Sequence, residues 1–237
     1  MEILSKLYEG KAKEIFTTDD ADQVVIRFKD AATAFDGKKK GTIQKKGIMN
    51  LKISALFFQL LEKEGIQTHY LATLNDRDML ARKLSIVPVE VVVRNTAAGS
   101  LAKRLGLEEG TSMSLPIVEF YYKDDDLGDP MINHYHIRAR KMADDDTVKE
   151  MEENALAVNE ILTRFLKERK IQLVDFKLEF GLYHGKVLLG DEISPDTCRF
   201  WDMESKKKMD KDRFRRDLGQ VEEVYEEVLS RMEGSNK

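Results

Sequence analysis

The sequence predicts a mixed α+β fold, because strand-like and helix-like patterns alternate along it without the regular spacing of βαβ units. From Leu173 to Phe180 apolar residues occupy every second position, which is typical of a strand with one buried face. From Ile43 to Glu64 apolar residues recur every three or four positions, which is typical of a helix. A chain of 237 residues buries about 70% of its unfolded surface, so these elements can share a sizeable core.

The first part of the chain predicts two short strands, one helix and a longer strand. Residues 13–16 and 24–28 read as strands on either side of a Thr-Thr-Asp-Asp turn. The helix over 43–64 follows, and Gly65 ends it. The valine-rich stretch 85–94 predicts the next strand. We place a lobe boundary in this stretch and predict an N-terminal lobe over 1–87 and a C-terminal lobe over 88–237.

The second part of the chain predicts a helix, a β-hairpin and a final helix. Apolar periodicity runs from Val148 to Phe165, and the three acidic residues 144–146 supply a cap and favourable charge at the helix N-terminus. Residues 173–180 and 187–193 then predict a hairpin around residues 184–186. The final helix is predicted from its apolar stripe, which comprises Phe214, Leu218, Val221, Tyr225, Val228 and Met232.

The composition indicates a globular protein without a global attraction to nucleic acid or anionic lipid. Lys and Arg total 39 against 43 Asp and Glu, and the net charge is −4. No stretch approaches the roughly 20 apolar residues of a membrane span. The first residues also lack the apolar core of a signal peptide. We therefore expect a cytoplasmic protein that binds neither nucleic acid nor membrane.

Several conspicuous residues are interpreted as structural. The lysines at 38–40, 45 and 46 are interpreted as a mobile, solvated loop and helix start, and the acidic run 124–126 as a turn. His134 and His136 could share one face of a strand, but four scattered histidines and one cysteine make no zinc framework. Cys198 has no base in a neighbouring motif, so we expect no nucleophilic role for it.

The strand over 173–181 carries charged residues on one face and apolar residues on the other. Asp175, Lys177 and Glu179 alternate with four apolar residues, so all three charged side chains project to the same side. An ordinary strand with one solvent-facing side would look similar and remains the alternative. The apolar residues on the other face are Val174, Phe176, Leu178 and Phe180.

The partner strand of this hairpin suggests a metal site. If the hairpin is centred on Gly185, Glu179 lies directly opposite Asp191, and two facing carboxylates repel unless a cation lies between them. Mg²⁺ favours one or two carboxylates, with water and phosphate oxygens completing its shell. A two-residue turn at His184 and Gly185 would instead put the two carboxylates on opposite faces.

A glycine followed by two lysines comes early in the chain. In the segment 8–13, Gly10 precedes Lys11 and Lys13 close to a predicted strand pair. Backbone N–H groups and ammonium ions in such a turn can lie along a polyphosphate. The segment is neither a Walker A motif nor a dinucleotide fingerprint, and a solvated loop is the alternative.

Two further segments combine arginine with small or rigid residues. Arg94 ends the valine-rich strand and is followed by small residues and Ser100, which together could hold a phosphate monoester. A helix entry capped by Ser100 is the alternative. Pro195 makes the turn after the predicted strand 187–193 rigid, so Asp196 and Arg199 would be presented beside Asp191.

Together these segments resemble one family, the SAICAR synthetases of purine biosynthesis. Their order and spacing match across essentially the whole chain. The residues that carry the resemblance are YEGKAKEIF at 8–16, PVEVVVRNTAAGSLAKRLG at 88–106, LVDFKLEFGL at 173–182, GDEISPDTCRFWD at 190–202 and MDKDRF at 209–214.

The resemblance implies a two-lobed α+β fold. Its N-terminal lobe would carry a nucleotide-binding sheet similar to those of kinases and ATP-grasp enzymes, and its C-terminal lobe would bind substrate and metal. The implied enzyme is an ATP-dependent ligase that joins L-aspartate to carboxyaminoimidazole ribonucleotide (CAIR) and yields SAICAR, ADP and phosphate. ATP as co-substrate, Mg²⁺ as cofactor and a homodimer or higher homo-oligomer are part of this expectation.

The resemblance also implies roles for individual residues in binding ATP. Lys11, Ala12 and Lys13 match the family's phosphate-holding turn. Glu179 and Asp191 match its Mg²⁺ ligands, in agreement with the hairpin argument above. The residues expected to sandwich adenine or lie near the hinge are Ile15, Val24, Leu84 and Ile86.

The remaining implied roles concern CAIR and catalysis. Arg94, Ser100 and Arg199 match positions expected to hold the phosphate and carboxylate of CAIR. Asp36 would be an active-site carboxylate near the metal or the acceptor amine, although Thr33-Ala34-Phe35 precedes it where the family often has Ser-Ala. Residues expected to orient the ribose or imidazole are Asp175, Lys177 and Asp196. The expected catalytic set is Lys13, Asp36, Lys177, Glu179 and Asp191.

Two other function classes remain as alternatives. A small-molecule or lipid kinase could use the same nucleotide site without forming an amide. An RNA-binding protein would depend only on the lysines at 38–46 and would show a steep salt dependence of binding. For the ligase, we expect the segment 36–46 to be poorly ordered without substrate and to close over the bound ligands, since a lid protects a hydrolysable intermediate.

Overall fold

The computed structural model describes residues 1–34 and 38–234 and has the predicted mixed α+β class. Its strands are, in chain order, β1 (Ile3–Glu9), β2 (Lys13–Thr18), β3 (Gln23–Phe28), β4 (Ala31–Ala34), β5 (Lys39–Thr42), β6 (Tyr70–Thr73), β7 (Asp78–Arg82), β8 (Ser85–Thr96), β9 (Ser112–Tyr122), β10 (Met131–Ile132), β11 (Ile171–Tyr183), β12 (Lys186–Gly190) and β13 (Cys198–Asp202). Its helices are α1 (Lys46–Lys63), α2 (Gly99–Leu105), α3 (His134–Ala139), α4 (Asp145–Lys167), α5 (Asp212–Arg215) and α6 (Val221–Met232).

The N-terminal strands form an antiparallel sheet with the order β1-β2-β3-β7-β6 within the described residues. Ile15 pairs with Ile26 and Thr17 with Val24, so the two strands predicted at the N-terminus are confirmed as neighbours. Because opposed residues and every second residue share a face, Lys13, Ile15 and Val24 all project from the same side of this first sheet.

The strands after residue 84 form a second antiparallel sheet with the order β10-β9-β8-β11-β12, and β13 pairs with the first half of β11. On its central strand, β11, Asp175 lies opposite Arg94 of β8, and Glu179 lies opposite Glu90. Directly opposed residues of antiparallel strands share a face. The charged alternation predicted for this strand is therefore confirmed, and β8 adds two further charged groups to it.

The apolar face of β11 is confirmed at three of its four predicted positions. Val174 is the exception. The pairing of β11 with β13 shifts register between Leu173 and Asp175, and such a bulge interrupts the alternation of side chains. Val174 consequently packs against Ala98 and Trp201 in a small cluster separate from the main core.

The two long predicted helices are present. Helix α1 ends at Lys63, and Gly65 follows with a φ of 92°, a conformation that favours glycine. Asp144 caps α4 by accepting a hydrogen bond from the backbone N–H of Thr147 at 2.7 Å. Helix α4 packs against β8 and β11, and α1 packs against β3, β6 and α6. The two helices thus bury the two sheets in one continuous core.

The single C-terminal helix predicted from the stripe that begins at Phe214 is wrong. The segment between α5 and α6 contains Asp217, Gly219 and Gln220, all with positive φ, which a right-handed helix does not contain. Leu218, predicted to be buried, is 44% exposed. The second half of the stripe is confirmed as the buried face of α6.

The hairpin between β11 and β12 turns through only two residues. His184 and Gly185 both have positive φ, 48° and 79°, as in the turns that best match the twist of a hairpin. Glu179 therefore lies opposite Gly190 and not opposite Asp191. The register centred on Gly185, from which the facing carboxylate pair was predicted, is wrong.

The lysine-rich segment before α1 contains a short strand and the first residue of the helix. Residues 39–42 form β5, which pairs with β4. Lys39 forms an ion pair with Asp217 at 2.5 Å, and the side chain of Lys46 is only 1% exposed. The predicted helix start is confirmed at Lys46, whereas the interpretation of these lysines as solvated is wrong for Lys46. Whether the segment is mobile stays a prediction. Residues 36 and 37 lie outside the described residues.

Other structural interpretations have mixed outcomes. The acidic run 124–126 forms the predicted turn, capped by Asp124. His134 and His136 lie at the start of α3 rather than on a strand. The chain passes from the first sheet to the second between Arg82 and Ser85, while the division into lobes at 87/88 stays a prediction. No helix in the described part of the chain is long and apolar enough to cross a membrane.

Candidate active site

Charged side chains cover the face of the second sheet where β8, β9 and β11 lie side by side. They form two groups along β11. The arginine cluster comprises Arg94, Ser100, Arg104, Glu119, Tyr121, Asp175, Arg199 and Asp212. The lysine cluster comprises Lys13, Glu90, Lys123, Lys177, Glu179, Asp191 and Glu192.

Arg94 lies at the centre of the arginine cluster. Its Nε donates to Glu119 at 2.5 Å, one Nη donates to Asp175 at 2.8 Å, and the other donates to Ser100 at 3.2 Å and Tyr121 at 3.1 Å. The described residues thus engage four of its five N–H groups, and the residue is 4% exposed. Burial disfavours its charge, but Asp175 and Glu119 outweigh burial and raise the pKa of Arg94. Arg94 is therefore fixed in a single orientation.

Arg199 approaches the same carboxylate from β13. Its Nη1 donates to both oxygens of Asp175, at 2.8 and 3.0 Å, and its Nε donates to Asp212 at 3.0 Å. A Cβ on Gly99 would lie 2.7 Å from Nη2 of Arg199, and Gly99 itself has a φ of 53°. Glycine at position 99 therefore allows the guanidinium to lie directly against the backbone that precedes Ser100.

Two glutamates face each other in the lysine cluster. Glu90 and Glu179 are directly opposed on β8 and β11. Lys177 Nζ lies 2.5 Å from Glu90 Oε1 and 3.0 Å from Glu179 Oε1, and Lys123 Nζ lies 2.7 Å from Glu179 Oε1. Burial alone would lower the pKa of Lys177, but Glu179, Glu90 and Asp191 outweigh it and raise that pKa. The carboxylate that faces Glu179 is Glu90, and two ammonium groups neutralise the pair.

Lys13 connects the two sheets. It extends from β2 to form ion pairs with Asp191 and, at 3.0 Å, with Glu192, both just beyond the end of β12. Burial would lower its pKa, but Asp191, Glu192 and Glu179 outweigh burial and raise it. Asp191 and Glu179 both act electrostatically on Lys13 and on Lys177. Asp191 has a left-handed φ of 56°, which interrupts the alternation of side chains beyond β12. Glu179 and Asp191, the two predicted metal ligands, therefore lie near the same two lysines although the predicted register is wrong.

Asp196 lies apart from the two clusters. Its Oδ2 accepts from Lys46 at 2.8 Å and Lys211 at 3.4 Å, and its Oδ1 accepts from the hydroxyl of Tyr225 at 2.8 Å. Burial would raise its pKa, but the two lysines outweigh burial and hold that pKa well below its usual range. We call these four residues the Asp196 cluster. Asp196 was predicted to line the same face as Asp175, whereas its hydrogen bonds anchor α1 and α6 to the 191–197 turn.

The residues predicted to hold ATP lie around the first sheet and the crossing to the second. Lys11 is exposed and pairs with Asp125 at 2.7 Å. Ala12 lies in the turn, where its carbonyl oxygen accepts from the backbone N–H of Lys29 at 2.8 Å. Ile15 and Val24 share the face from which Lys13 projects.

Leu84 and Ile86 lie where the chain enters β8. A Cβ on Gly181 would lie 2.7 Å from Cβ of Leu84, so Leu84 packs directly against the backbone of β11. Ile86 is 46% exposed, which is unusual for a large apolar side chain in a central strand. Asp36, the last predicted site residue, lies outside the described residues.

Several members of these clusters were missed by the sequence reasoning. Glu90 precedes Arg94 by four residues in a valine-rich strand, so strand alternation already placed them on one face. Glu119 and Tyr121 alternate in the same way on β9, a strand that was not predicted. Lys46 carried no signal, because it ends a run of lysines that resembles a solvated surface.

Two buried groups near the site have perturbed pKa values. Burial raises the pKa of the Cys198 thiol, which disfavours the reactive thiolate. Burial and the neighbouring Asp212 raise the pKa of Asp210 to about 7. Asp210 accepts hydrogen bonds from the backbone N–H groups of Phe200 and Asp212, at 3.0 and 2.7 Å. It thereby fixes the backbone on either side of the Arg199–Asp212 contact.

The donor set fits a Mg²⁺ ion that is shared with phosphate oxygens. Among the residues that the structure describes, no group of three or more His, Cys, Asp or Glu side chains could hold a metal on its own. Glu179 and Asp191 supply two carboxylates beside the same lysines. Mg²⁺ is commonly bound through one or two carboxylates, with water and substrate phosphates as its other ligands.

Comparisons with known proteins identify the family of this chain. The family model of SAICAR synthetase matches residues 6–232. Relatives named phosphoribosylaminoimidazole-succinocarboxamide synthase from Desulfitobacterium hafniense and Coprothermobacter proteolyticus are 59% and 56% identical. Each match covers 98% of this chain, and 98% and 99% of the respective relative.

Solved structures give the same result. The phosphoribosylaminoimidazole-succinocarboxamide synthase of Ehrlichia chaffeensis has a TM-score of 0.95 at 45% identity, with 97% of this chain and 98% of that chain covered. A SAICAR synthetase in complex with ADP has a TM-score of 0.93 at 51% identity, with 96% and 97% covered. This chain therefore belongs to the SAICAR synthetase family.

Proposed function

We propose that this chain is an ATP-dependent ligase that joins the amine of L-aspartate to the carboxylate of CAIR. The products are SAICAR, ADP and phosphate, in purine biosynthesis. The observation that carries the proposal is the arrangement on β11, where Asp175 of the arginine cluster and Lys177 of the lysine cluster are two residues apart on one face. This spacing is about 7 Å, so a nucleotide phosphate and an acceptor carboxylate can meet between the clusters.

The chemistry requires ATP because a carboxylate is a poor electrophile. A carboxylate oxygen of CAIR attacks the γ-phosphorus of ATP, the bond to the bridging oxygen breaks, and ADP leaves. The amine of aspartate then attacks the carbon of the resulting acyl phosphate. Phosphate leaves with the former carboxylate oxygen, and the amine loses a proton. The protein contributes positioning, charge stabilisation and exclusion of water.

Lys13 and Lys177 are proposed to stabilise the negative charge of the transferring phosphoryl group. Both are held among buried carboxylates, and both have raised pKa values, so they stay protonated throughout catalysis. Lys11 and Ala12 are proposed to contact the outer phosphates from the turn before β2. Apolar residues proposed to enclose the adenine are Ile15, Val24, Leu84 and Ile86. The relative of known structure that binds ADP supports a nucleotide site in this fold.

Glu179 and Asp191 are proposed to hold Mg²⁺ together with phosphate oxygens. When bound, the ion supplies positive charge that neutralises the phosphoryl oxygens. Within this chain, Lys123 and Lys177 keep Glu179 in place, and Lys13 keeps Asp191 in place.

The arginine cluster is proposed to hold CAIR. Ser100 and Arg199 would donate hydrogen bonds to its phosphate or carboxylate, and Arg94 would do so through the donor that the described residues leave unengaged. Asp175 orients both guanidinium groups. Lys177 and Asp196 are proposed to orient the ribose or imidazole. Asp36 is proposed as an active-site carboxylate near the metal or the acceptor amine.

The larger-scale expectations are also proposals. We place nucleotide binding in residues 1–87, and substrate and metal binding in residues 88–237. A homodimer or higher homo-oligomer and a cytoplasmic location complete the proposed function. Nucleic acid is not an expected partner, since Lys39 and Lys46 of the lysine-rich segment on which that alternative depended form ion pairs with Asp217 and Asp196.

The proposal is tested by measuring phosphate release from purified protein with ATP and Mg²⁺. The ligase releases phosphate in amounts equal to SAICAR only when CAIR and aspartate are both present. A kinase would transfer the phosphoryl group to its acceptor and release no free phosphate. Steady ADP formation in the complete mixture without SAICAR would contradict the ligase assignment.

A further inference from the structure

Lys211 and Arg215 form a pair of cations that the roles above do not use. Lys211 immediately precedes α5 and Arg215 ends it, and the backbone N–H of Arg215 donates to the carbonyl oxygen of Lys211 at 3.0 Å. Residues four apart on one helical turn lie side by side, and like charges at this spacing repel each other. The two side chains are 14% and 29% exposed, so both can be reached by a ligand.

The carboxylates around this pair do not neutralise it. Lys211 shares Oδ2 of Asp196 with Lys46, and its 3.4 Å contact is the longer of the two. The other oxygen of Asp196 accepts from Tyr225. One carboxylate therefore serves two ammonium groups. Burial lowers the pKa of Lys211, and together with the charges of Lys46 and Arg215 it outweighs the opposing effects of Asp196 and Glu192.

Arg215 likewise shares its only described carboxylate partner with another cation. Its Nη1 donates to Asp212 Oδ1 at 2.6 Å, while Arg199 donates to the other oxygen of Asp212 at 3.0 Å. No other acceptor for the Arg215 side chain lies among residues 1–34 and 38–234. The described residues therefore leave most of its guanidinium donors unengaged.

The position of the pair connects it to both halves of the candidate active site. Arg215 is separated from Arg199 of the arginine cluster by one carboxylate, that of Asp212. On the other side, the backbone N–H of Asp196 donates to Ser194, whose hydroxyl donates to Glu192 at 2.5 Å, and Glu192 pairs with Lys13. An anion bound by Lys211 and Arg215 would thus lie beside the proposed CAIR and phosphate positions.

We propose that Lys211 and Arg215 bind a carboxylate of the substrate L-aspartate, an inference that rests on the proposed ligase function. Aspartate has two carboxylates, and neither the lysine cluster nor the arginine cluster has been assigned to them. A planar guanidinium next to an ammonium group suits a carboxylate, because the guanidinium can donate two parallel hydrogen bonds. A phosphate group of CAIR or ATP has related chemistry, and the experiment distinguishes these sources.

The experiment compares Michaelis constants for aspartate, CAIR and ATP in Lys211→Gln and Arg215→Gln. We expect the constant for aspartate to rise roughly 10- to 150-fold, as for the loss of one hydrogen bond to a charged group, and the other two to change less than about twofold. Arg215→Lys keeps the charge and loses the fork, so it should recover only part of the affinity. If Lys211→Gln fails to fold by circular dichroism, the more exposed Arg215→Gln decides the question.

Arg216→Gln is the matched control. It removes a positive charge from the next position, where Arg216 is bound to Glu109 through two hydrogen bonds of 3.0 and 3.1 Å and makes only a longer ion pair, of 3.7 Å, with Asp212. A rise in the constant for CAIR or ATP instead of aspartate would overturn the inference and identify a phosphate as the anion. Constants equal to those of Arg216→Gln would also overturn it. If the unmodified protein makes no SAICAR at all, the proposed function itself fails.

Discussion

Asp175→Asn tests whether one buried carboxylate holds the arginine cluster together. Asp175 is 3% exposed and accepts from Nη1 of Arg94 at 2.8 Å and from Nη1 of Arg199 at 2.8 and 3.0 Å. Asparagine has nearly the same shape, but it carries no charge and replaces one acceptor oxygen with an NH₂ donor. At least one of the two guanidinium groups must then face another donor.

The expected cost follows from this geometry. Removal of one partner from a buried ion pair costs about 3–5 kcal/mol, because the remaining charge stays buried and uncompensated. In a domain of this size each kcal/mol lowers the melting temperature by about 2–4 °C, so we expect a decrease of roughly 6–20 °C. The Michaelis constant for CAIR should also rise, since Arg94 and Arg199 lose their common orientation.

The assay measures urea and thermal unfolding of Asp175→Asn and of the unmodified protein. Steady-state kinetics are then measured at a temperature below the lower of the two melting temperatures. Glu204→Gln provides the control. This variant removes a carboxylate that pairs with Lys170 at 3.2 Å, where both side chains are more than 70% exposed, and such pairs contribute about 0–1 kcal/mol. If Asp175→Asn is as stable as Glu204→Gln and binds CAIR normally, the buried network does not organise the site.

Three further predictions address the lysine cluster, the CAIR residues and pH. Asp191→Asn should reduce turnover roughly 10- to 150-fold with little change in ADP affinity measured by calorimetry, and a near-normal rate at saturating Mg²⁺ would contradict its role. Arg94→Ala, Ser100→Ala and Arg199→Lys should raise the Michaelis constant for CAIR about 10- to 150-fold, whereas a rise for ATP alone would reassign them to the nucleotide. The raised pKa of Asp210, about 7, means that the folded protein keeps a proton that the unfolded chain releases near pH 4. Its contribution to stability should therefore decline from about pH 4 to 7, and urea unfolding of Asp210→Asn should lack this slope.

Local periodicity predicted α1, α4 and the strands β2, β3, β8, β11 and β12, because long helices and regular strands depend on patterns within a few residues. It failed where a single backbone conformation decides the outcome. The left-handed residues His184 and Gly185 set a two-residue turn, and Asp217 and Gln220 end a helix that the apolar stripe would have continued. Neither effect is visible in hydrophobic spacing, since left-handed conformations of non-glycine residues depend on their tertiary surroundings.

The site was predictable where charged residues alternate on a strand and not where they arrive from other elements. Asp175 and Lys177 could be placed on one face from the sequence alone. Lys46 could not, because its burial depends on a turn 150 residues away that brings Asp196 to it. Resemblance to the family supplied residue identities such as Arg94, but only the structure shows how completely its donors are engaged.

The central claim, that ATP activates the carboxylate of CAIR for attack by aspartate, is tested most directly by isotope transfer. CAIR labelled with ¹⁸O in its carboxylate is converted in unlabelled water with ATP, Mg²⁺ and aspartate, and the released phosphate is analysed by mass spectrometry. The account predicts that each phosphate carries one oxygen from CAIR, because that oxygen forms the bond to phosphorus before the amine displaces it. Phosphate without the label, formed together with SAICAR, would contradict the claim.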